Sequence, residues 1–483
     1  MKHQQLISYQ LDLFTEQARE DIIQCASREG VSGASTLLEG QVKSAKKPGR
    51  ALAGELIGIV CSHGNLNRAF KQVKRNKGVS GIDQVPVGDF AGWFAKEGES
   101  LVSQLLQGQY LPSPVRSVTI SKPNGGERLL GIPTVKDRVI QQAIQQVLTP
   151  IYEQEFSAHS YGFRPKRNAQ QALQKASSYV ADGRTIVVDM DMKSFFDEVN
   201  HDRLMYQLSE KIKDKALLLL IRRYLQSGVM VDGVSTVRQK GTPQGSPLSP
   251  LLSNIVLDEL DKELEKRGHC FVRYADDFSI FVRSQIAGER VKESISTYLT
   301  DKLKLKVNQE KSICCQSKET KFLGYTILND GILVVASSSV NRLKEKVRQI
   351  TKRNRGKSLI RIISELNPVL RGWFNYFKHA SCKWLLRNLD GWIRRKLRCY
   401  RLKQCKKTIA MKRFLKSQGV PTWQSWILSL SGVGWWRKSG CPQSHQAMNL
   451  EWFEKTGLYN MSVNYSSYQI NLKPPCTRVC TVV

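Results

Sequence analysis

Apolar and polar positions change period several times along the 483-residue chain, and each change marks an element. From 183 to 330 the order reads strand, helix, helix, hairpin, helix, strand. Thr185–Asp189 is a short β-branched run, while Asp202–Gln226 and Leu251–Lys266 carry apolar residues at spacings of three and four. Cys270–Val282 alternates as the two arms of a hairpin do. Upstream, Asn67–Asn76 reads as a basic helix, Gly78–Gly81 as a turn, and Val115–Ser121 and Arg128–Ile132 as strands around Pro123-Asn124-Gly125-Gly126. Residues 341–460 read as basic helices followed by an aromatic segment with Trp423, Trp426, Trp435, Trp436 and Trp452. Residues 1–55 start helical and then loosen, since Ser32–Thr36 is small and polar and Lys43–Arg50 is rich in lysine. The pattern predicts an α+β chain with an antiparallel hairpin near its centre and a helical C-terminal part.

Composition adds a partner to this picture. Hydrophobic residues at 41% and charged residues at 24% are ordinary for a folded chain, but 74 Lys+Arg against 42 Asp+Glu give +32, which points to a polyanion. Residues 341–440 hold 26 Lys and Arg against Glu345, Glu365 and Asp390, so +23 of that charge lies in one window. A boundary is therefore expected near Ser337–Asn341. The best apolar run, Ala216–Ile221, is far short of the roughly 18–20 residues needed to span a bilayer, so no membrane role is expected. Met1–Gln24 carries Asp12, Glu16, Glu20 and Asp21 and has neither a secretory nor an organellar import pattern, so the protein is expected to stay where it is made. Eleven dispersed cysteines with no C-x-x-C pair suit free thiols rather than a zinc module.

Two acidic sites carry the candidate chemistry. In Phe271–Phe281, apolar arms put Asp276 and Asp277 at a hairpin tip, where adjacent carboxylates repel each other and require something positive nearby. A bare pair of this kind also suits a solvated turn. The second site, Asp189, Asp191 and Asp197, follows the apolar strand Val187-Val188. If the two strands are neighbours, Asp191 and Asp276 would share two divalent metals about 3.5–4 Å apart, as phosphoryl-transfer sites do. With hard oxygen donors and no His or Cys cluster nearby, Mg²⁺ is the metal expected.

Tyr274-Ala275-Asp276-Asp277, Thr242-Pro243-Gln244-Gly245-Ser246-Pro247-Leu248-Ser249-Pro250, Phe322-Leu323-Gly324-Tyr325 and Tyr161-Gly162-Phe163-Arg164-Pro165 occur here in a definite order and spacing. Together they resemble the group II intron reverse transcriptase/maturase family. Asn76–Asp83 resembles that family's N-terminal block and Leu366–Phe377 its maturase domain. The resemblance implies a right-hand polymerase with N-terminal extension 1–60, fingers 61–182, palm 183–336, thumb/maturase domain 337–460 and tail 461–483.

It further implies that Asp191, Asp276 and Asp277 are catalytic and bind two Mg²⁺ ions, with Asp189 the competing choice in the first strand. Phe196, five residues beyond Asp191, takes the position of the ring that excludes a 2′-hydroxyl; core packing beside Phe195 is its other reading. Lys122 and Arg128 would pair with the triphosphate from the fingers hairpin, Gln244 and Gly245 would touch nucleotide and template, and Leu323 and Gly324 would form the primer grip. For the basic helices it implies intron RNA binding, and Arg394, Arg395, Lys396 and Arg398 on the stretch Trp392–Lys407 are the expected contacts. Gly434–Arg437 and Trp452-Phe453 read either as base-stacking platforms or as core.

The expected activity is RNA-directed DNA polymerisation with dNTPs on an RNA template and DNA primer, coupled to splicing and to insertion at a target DNA. The expected setting is a cytoplasmic, bacterial ribonucleoprotein. Only Cys476 and Cys480 lie beyond Leu458, so the resemblance is to members lacking an HNH endonuclease. A host-adopted repair enzyme, a splicing cofactor without polymerisation and an RNA-directed RNA polymerase are the alternatives; Phe196 speaks against the last, and retention of all three aspartates against the second.

Overall fold

A computed structural model describes residues 56–121, 127–231, 234–236, 240–242 and 245–472. The expectations for residues 1–55, Lys122 with the Pro123–Gly126 turn, and Gln244 fall outside the described residues, as does the side chain of Arg128.

In chain order the elements are α1 (Leu56–Cys61), α2 (His63–Arg75), α3 (Phe90–Leu106), β1 (Val115–Ser121), β2 (Glu127–Ile132), α4 (Val135–Glu153), α5 (Ala169–Ala181), β3 (Ile186–Met190), α6 (Phe195–Glu198), α7 (His201–Lys211), α8 (Lys215–Gln226), β4 (Val229–Val231), β5 (Val234–Thr236), α9 (Ser249–Lys266), β6 (Cys270–Tyr274), β7 (Asp277–Val282), α10 (Gln285–Asp301) and β8 (Ile313–Gln316). There follow β9 (Tyr325–Ile327), β10 (Leu333–Val335), α11 (Ser337–Ile350), α12 (Leu359–Phe377), α13 (Lys383–Gln404), α14 (Thr408–Ser417), α15 (Thr422–Leu430), α16 (Trp435–Lys438), α17 (Pro442–Ala447), α18 (Leu450–Lys455) and α19 (Met461–Leu472). They fall into two compact units: the chain up to Ala176 with Ile186–Cys315, and Ser177–Thr185 with the chain from Gln316 onward.

The first unit is α+β. One sheet has the order β2-β1-β4-β5, with β1 parallel to β4 and the other pairs antiparallel. The other has the order β6-β7-β3-β8 and is the one that matters for chemistry. Its core strands are apolar on both faces because helices pack against them; Phe271, Phe278, Ile280 and Val188 are fully buried. Around α4 the core is anchored by a buried acid. Thr134 caps the helix by accepting from the Asp137 amide at 3.1 Å, and Asp137 accepts from Thr134 Oγ1 (2.7 Å), Tyr110 (2.7 Å) and Tyr224 (3.2 Å). Burial pushes the Asp137 carboxyl upward against these donors.

The predicted helix Asp202–Gln226 is instead two helices, α7 and α8. Asp214 ends the break by accepting from the Leu217 amide at 3.0 Å, and its other oxygen takes the Ile57 amide at 2.8 Å. Periodicity runs through the break because both helices bury the same kind of face.

Among its described residues the second unit is mostly helical, with the β9–β10 hairpin near its start. The stretch expected as a tail from 461 opens with α19, whose first amides, Met461 and Ser462, donate to the buried Asp390 carboxylate at 3.3 and 2.8 Å. This explains one of the three acids of the basic window: it caps a helix.

Candidate active site and nucleic-acid surface

Register sets the chemistry of the first unit. β3 pairs antiparallel with β7, Asp189 opposite Ser279 and Met190 opposite Phe278, and β7 pairs with β6 out to Tyr274 opposite Asp277. One step further along that register brings Asp191 beside Asp277, so the end of β3 and the Ala275-Asp276 turn share one end of the sheet. The two strands assumed to be neighbours are neighbours. Asp189 and Asp191 lie on the same face by strand alternation, but they differ in what they meet. Ser279 Oγ donates to Asp189 at 3.1 Å. The Asp191 side chain is 40% exposed, with Lys311 Nζ 3.9 Å away, and its backbone is pinned by Ser312 Oγ (3.1 Å) and the Asn308 amide (2.8 Å).

The turn itself is held from behind. Ala275 has φ +59°, the left-handed conformation that two-residue hairpin loops require at their first position. Arg273, fully buried, donates to both Asp261 oxygens (2.8 and 2.5 Å), to Asn254 Oδ1 (2.9 Å) and to the Ala275 carbonyl (2.9 Å). A buried cation does stand at the aspartate turn, and it grips the turn by its backbone. Gly162 completes the clamp: a Cβ there would lie 2.2 Å from the Ala275 nitrogen, and its carbonyl accepts from Asn254 at 2.9 Å. The Tyr161–Pro165 motif is thus the support of the turn, a role its sequence did not disclose.

Phe196 and Gly245, expected to meet the nucleotide, line one cleft of about 570 Å³ in this unit, together with Leu130, Phe163, Pro247 and Pro250. Gly245 has φ +103°, closed to other residues, and a Cβ there would meet the Gly131 carbonyl at 3.0 Å. Phe196 packs edge-on to Phe195, whose ring is the buried one. The Gly241-Thr242 segment is tied to the same loop, Thr242 donating its amide to the Phe196 carbonyl at 2.6 Å. Glu198 bridges Lys240 (2.9 Å) and Lys306 (3.3 Å), and the hydrogen bond from Lys240 pulls its carboxyl below the usual range.

The donor set at the sheet end, carboxylate oxygens without sulfur or imidazole, fits a hard divalent cation. Among the described residues no three His, Cys, Asp or Glu side chains stand close enough together to hold a metal ion. The backbone brings Asp191 to the end of the hairpin, where Asp276 stands in the turn and Asp277 opens β7; the three carboxylates do not form a ready ligand cluster.

In the second unit, Leu323 (φ +51°) and Gly324 (φ +82°) form a tight turn before β9. The Gly324 carbonyl accepts from Ser339 Oγ at 3.0 Å and the Leu323 carbonyl from the Tyr376 hydroxyl at 2.9 Å. On α13 one expectation is corrected. Arg398 is 5% exposed and donates to the Met448 carbonyl at 3.0 Å, and burial pushes its guanidinium down to about 10, so it packs the interior instead of facing a phosphate. Arg394, Arg395 and Lys396 are half-buried, Arg395 stacking on Trp436 at 4.3 Å and Lys396 at 5.0 Å from the same ring. The exposed cations of α13 are Lys383, Arg387 and Lys403, which the charge pattern alone did not separate from the rest. Trp436 and Trp423, 39% and 64% exposed, lie on the surface and not in the core. No described helix is long and apolar enough to cross a membrane.

Strand-end carboxylates, a cleft in the same unit and basic helices further along the chain are the parts that a template-copying polymerase joined to a nucleic-acid-binding domain needs. Residues 120–327 match the reverse transcriptase (RNA-dependent DNA polymerase) family and residues 340–419 the group II intron, maturase-specific domain. The group II intron-encoded protein LtrA of Lactococcus lactis subsp. cremoris is 30% identical over 414 residues, 65% of this chain and 68% of that protein. Protein YkfC of Escherichia coli (strain K12) is 33% identical over 270 residues, 48% of this chain and 71% of the relative. A solved chain of the partial Cas6-RT-Cas1–Cas2 complex resembles this one at TM-score 0.34 and 23% identity, over 52% of this chain and 43% of that one, too distant to bear on function. The chain belongs to the group II intron reverse transcriptase/maturase family: it is an RNA-directed DNA polymerase with a maturase domain for intron RNA.

Proposed function

We propose that cDNA synthesis takes place at the sheet end where Asp191 meets the Asp276-Asp277 turn. The pairing of β3 with β7 supports this reading, because it brings acids 85 residues apart in sequence to one end of the sheet. Asp191, Asp276 and Asp277 would hold two Mg²⁺ ions. Such ions, when bound, lower the pKa of the attacking hydroxyl and neutralise charge on the leaving oxygens.

The rest is the work of this chain's own residues. Arg273 and Gly162 fix the turn, and Phe196 stands in the cleft as the wall that a 2′-hydroxyl would strike. Gly245 lets nucleotide and template approach the backbone, and Gln244 contacts the same substrate. Lys122 and Arg128 pair with the dNTP triphosphate, and Leu323 and Gly324 hold the primer. Residues 61–182 act as fingers, 183–336 as palm and 337–460 as thumb and maturase domain, the last binding intron RNA in a bacterial cytoplasmic ribonucleoprotein that inserts at a target DNA.

The experiment compares Asp191→Asn with Asp189→Asn in Mg²⁺-dependent primer extension on an RNA template. Asp191→Asn is expected to abolish extension and Asp189→Asn to lower it modestly, since an asparagine oxygen can still accept from Ser279 where Asp189 does. The reverse order would move the metal ligand to Asp189.

A further inference from the structure

Phe163 combines two features that rarely meet. Its side chain is 52% exposed, and its backbone has φ +59°, a left-handed conformation unfavourable for a bulky residue. A single exposed apolar residue is ordinary. One held exposed in a strained backbone needs a frame that forces it there.

That frame is on both sides. Before it, the Tyr161 amide donates to the Arg273 carbonyl at 2.9 Å, and Gly162 is wedged against Ala275 of the aspartate turn. After it, Arg164 is nearly buried: it is bidentate to Glu153 (2.8–3.1 Å) and donates to the carbonyls of Ser157 (2.5 Å) and Ser160 (2.8 Å). The Phe163 ring is therefore directed by the same structure that sets the Asp276 turn, and it lines the cleft that Phe196 and Gly245 line.

We infer that Phe163 is a stacking platform for the nascent base pair, giving one flat aromatic face to a nucleobase in that cleft. The inference rests on the polymerase reading and adds to it a residue that touches the base instead of the sugar, phosphate or metal. A copying enzyme must accept all four bases in turn. An aromatic face does so, because every base has a π-face, whereas a hydrogen-bonding side chain would favour some bases over others. The cleft wall is mixed, with Leu130, Pro247 and Pro250 beside Arg138, Gln142 and Ser246, which suits a ligand with a flat face and polar edges.

The test is steady-state extension of a DNA primer on RNA templates by the full chain and by Phe163→Ala, Phe163→Leu and Phe163→Tyr, with each of the four dNTPs. Phe163→Ala is expected to raise KM for every dNTP about ten- to a hundredfold, the range carried by a base–aromatic stack, with kcat little changed. Phe163→Tyr should restore the wild-type KM, and Phe163→Leu, apolar but without a flat face, should not. Because Leu and Tyr adopt the same strained backbone no more easily than Phe, their comparison stands even if the alanine variant folds poorly.

Restoration by leucine would overturn the stacking role, and so would a fall in kcat with KM unchanged, which would make the segment a support for the turn alone. A wild-type chain that makes no cDNA would sink the polymerase reading first. That outcome is read before any variant, so the two failures are told apart.

Discussion

The sheet end of the first unit and the basic helices of the second hold their functional groups in opposite ways. At the sheet end, few groups are fixed by backbone: strand register brings Asp191 to the turn, a left-handed Ala275 shapes it, and Arg273 and Gly162 lock it from behind. On the helices, many cations stand on flexible stems, several of them laid over aromatic rings: Arg348 on Trp392, Arg395 on Trp436, Lys412 on Trp426. Glu365 alone engages Arg355, Lys357 and Arg361, and most of the +23 has no acid to balance it. Chemistry on a reacting bond demands positions good to a fraction of an ångström. Holding a polyanion demands only enough charge within reach.

The contrast predicts all-or-none effects in the first region and graded ones in the second. Asp276→Asn is the largest. It should lower Mg²⁺-dependent cDNA synthesis roughly a thousandfold, the worth of several kcal/mol of charge stabilisation, while filter binding of intron RNA stays nearly intact. Polymerisation within about tenfold of wild type, short of that worth, would break the comparison by removing Asp276 from the metal site.

Arg273→Met comes next and probes the frame. It strands the Asp261 carboxylate in a site where both side chains are fully buried, which costs about 3–5 kcal/mol in denaturant unfolding of the first unit. The double variant Arg273→Met with Asp261→Leu should recover most of that stability, since apolar pairs replace buried ion pairs at little cost. Polymerisation should not recover with it, because the bond to the Ala275 carbonyl is still missing. Recovery of both would mean that the cation serves the fold and not the turn.

How much of this was legible depended on whether the signal was local. The Cys270–Val282 hairpin and its aspartates could be read because strand alternation and turn position lie within a dozen residues. The difference between Asp189 and Asp191 could not, since both face the same way; Ser279, which donates to Asp189, lies on another strand. Arg273 was visible as a basic residue in a strand, but its burial depends on Asp261 and Asn254 of α9, a relation no period displays. The Asp202–Gln226 break was hidden because the ligand that fixes Asp214 is the amide of Ile57, 157 positions away. On α13 a dense run of cations said nothing of which face looks inward. Arg398 is drawn in by the Met448 carbonyl, contributed by the loop after α17.

Phe196→Ala is a middle-sized effect inside the precise region. If the ring is the wall proposed for it, deleting it leaves every ligand in place, so ribonucleotide incorporation should rise while deoxynucleotide incorporation continues. The ratio of kcat/KM for a dNTP to that for the matching NTP is the measurement. An unchanged ratio would return Phe196 to core packing beside Phe195.

The smallest effects are expected on the helices, and they separate surface charge from buried charge within α13. Replacing exposed Lys383, Arg387 and Lys403 one at a time by Gln should weaken intron RNA binding slightly, each lowering the slope of log affinity against log salt by up to about 0.7 on single-stranded RNA. Together they should add, because each acts through phosphates and counterions and none depends on its neighbour's position. Arg398→Gln should do the opposite. It leaves the Met448 carbonyl without its buried donor, costing about 1–3 kcal/mol of stability, while the salt slope stays as in wild type. Arg395 and Lys396 fall between, since Trp436 shares their charge with the surface. If the three exposed substitutions leave the salt slope unmoved, α13 is a solvated face and the RNA lies on other helices. If Arg398→Gln moves the slope without destabilising the fold, the guanidinium reaches solvent when RNA binds, and the division between rigid and graded regions does not hold along this helix.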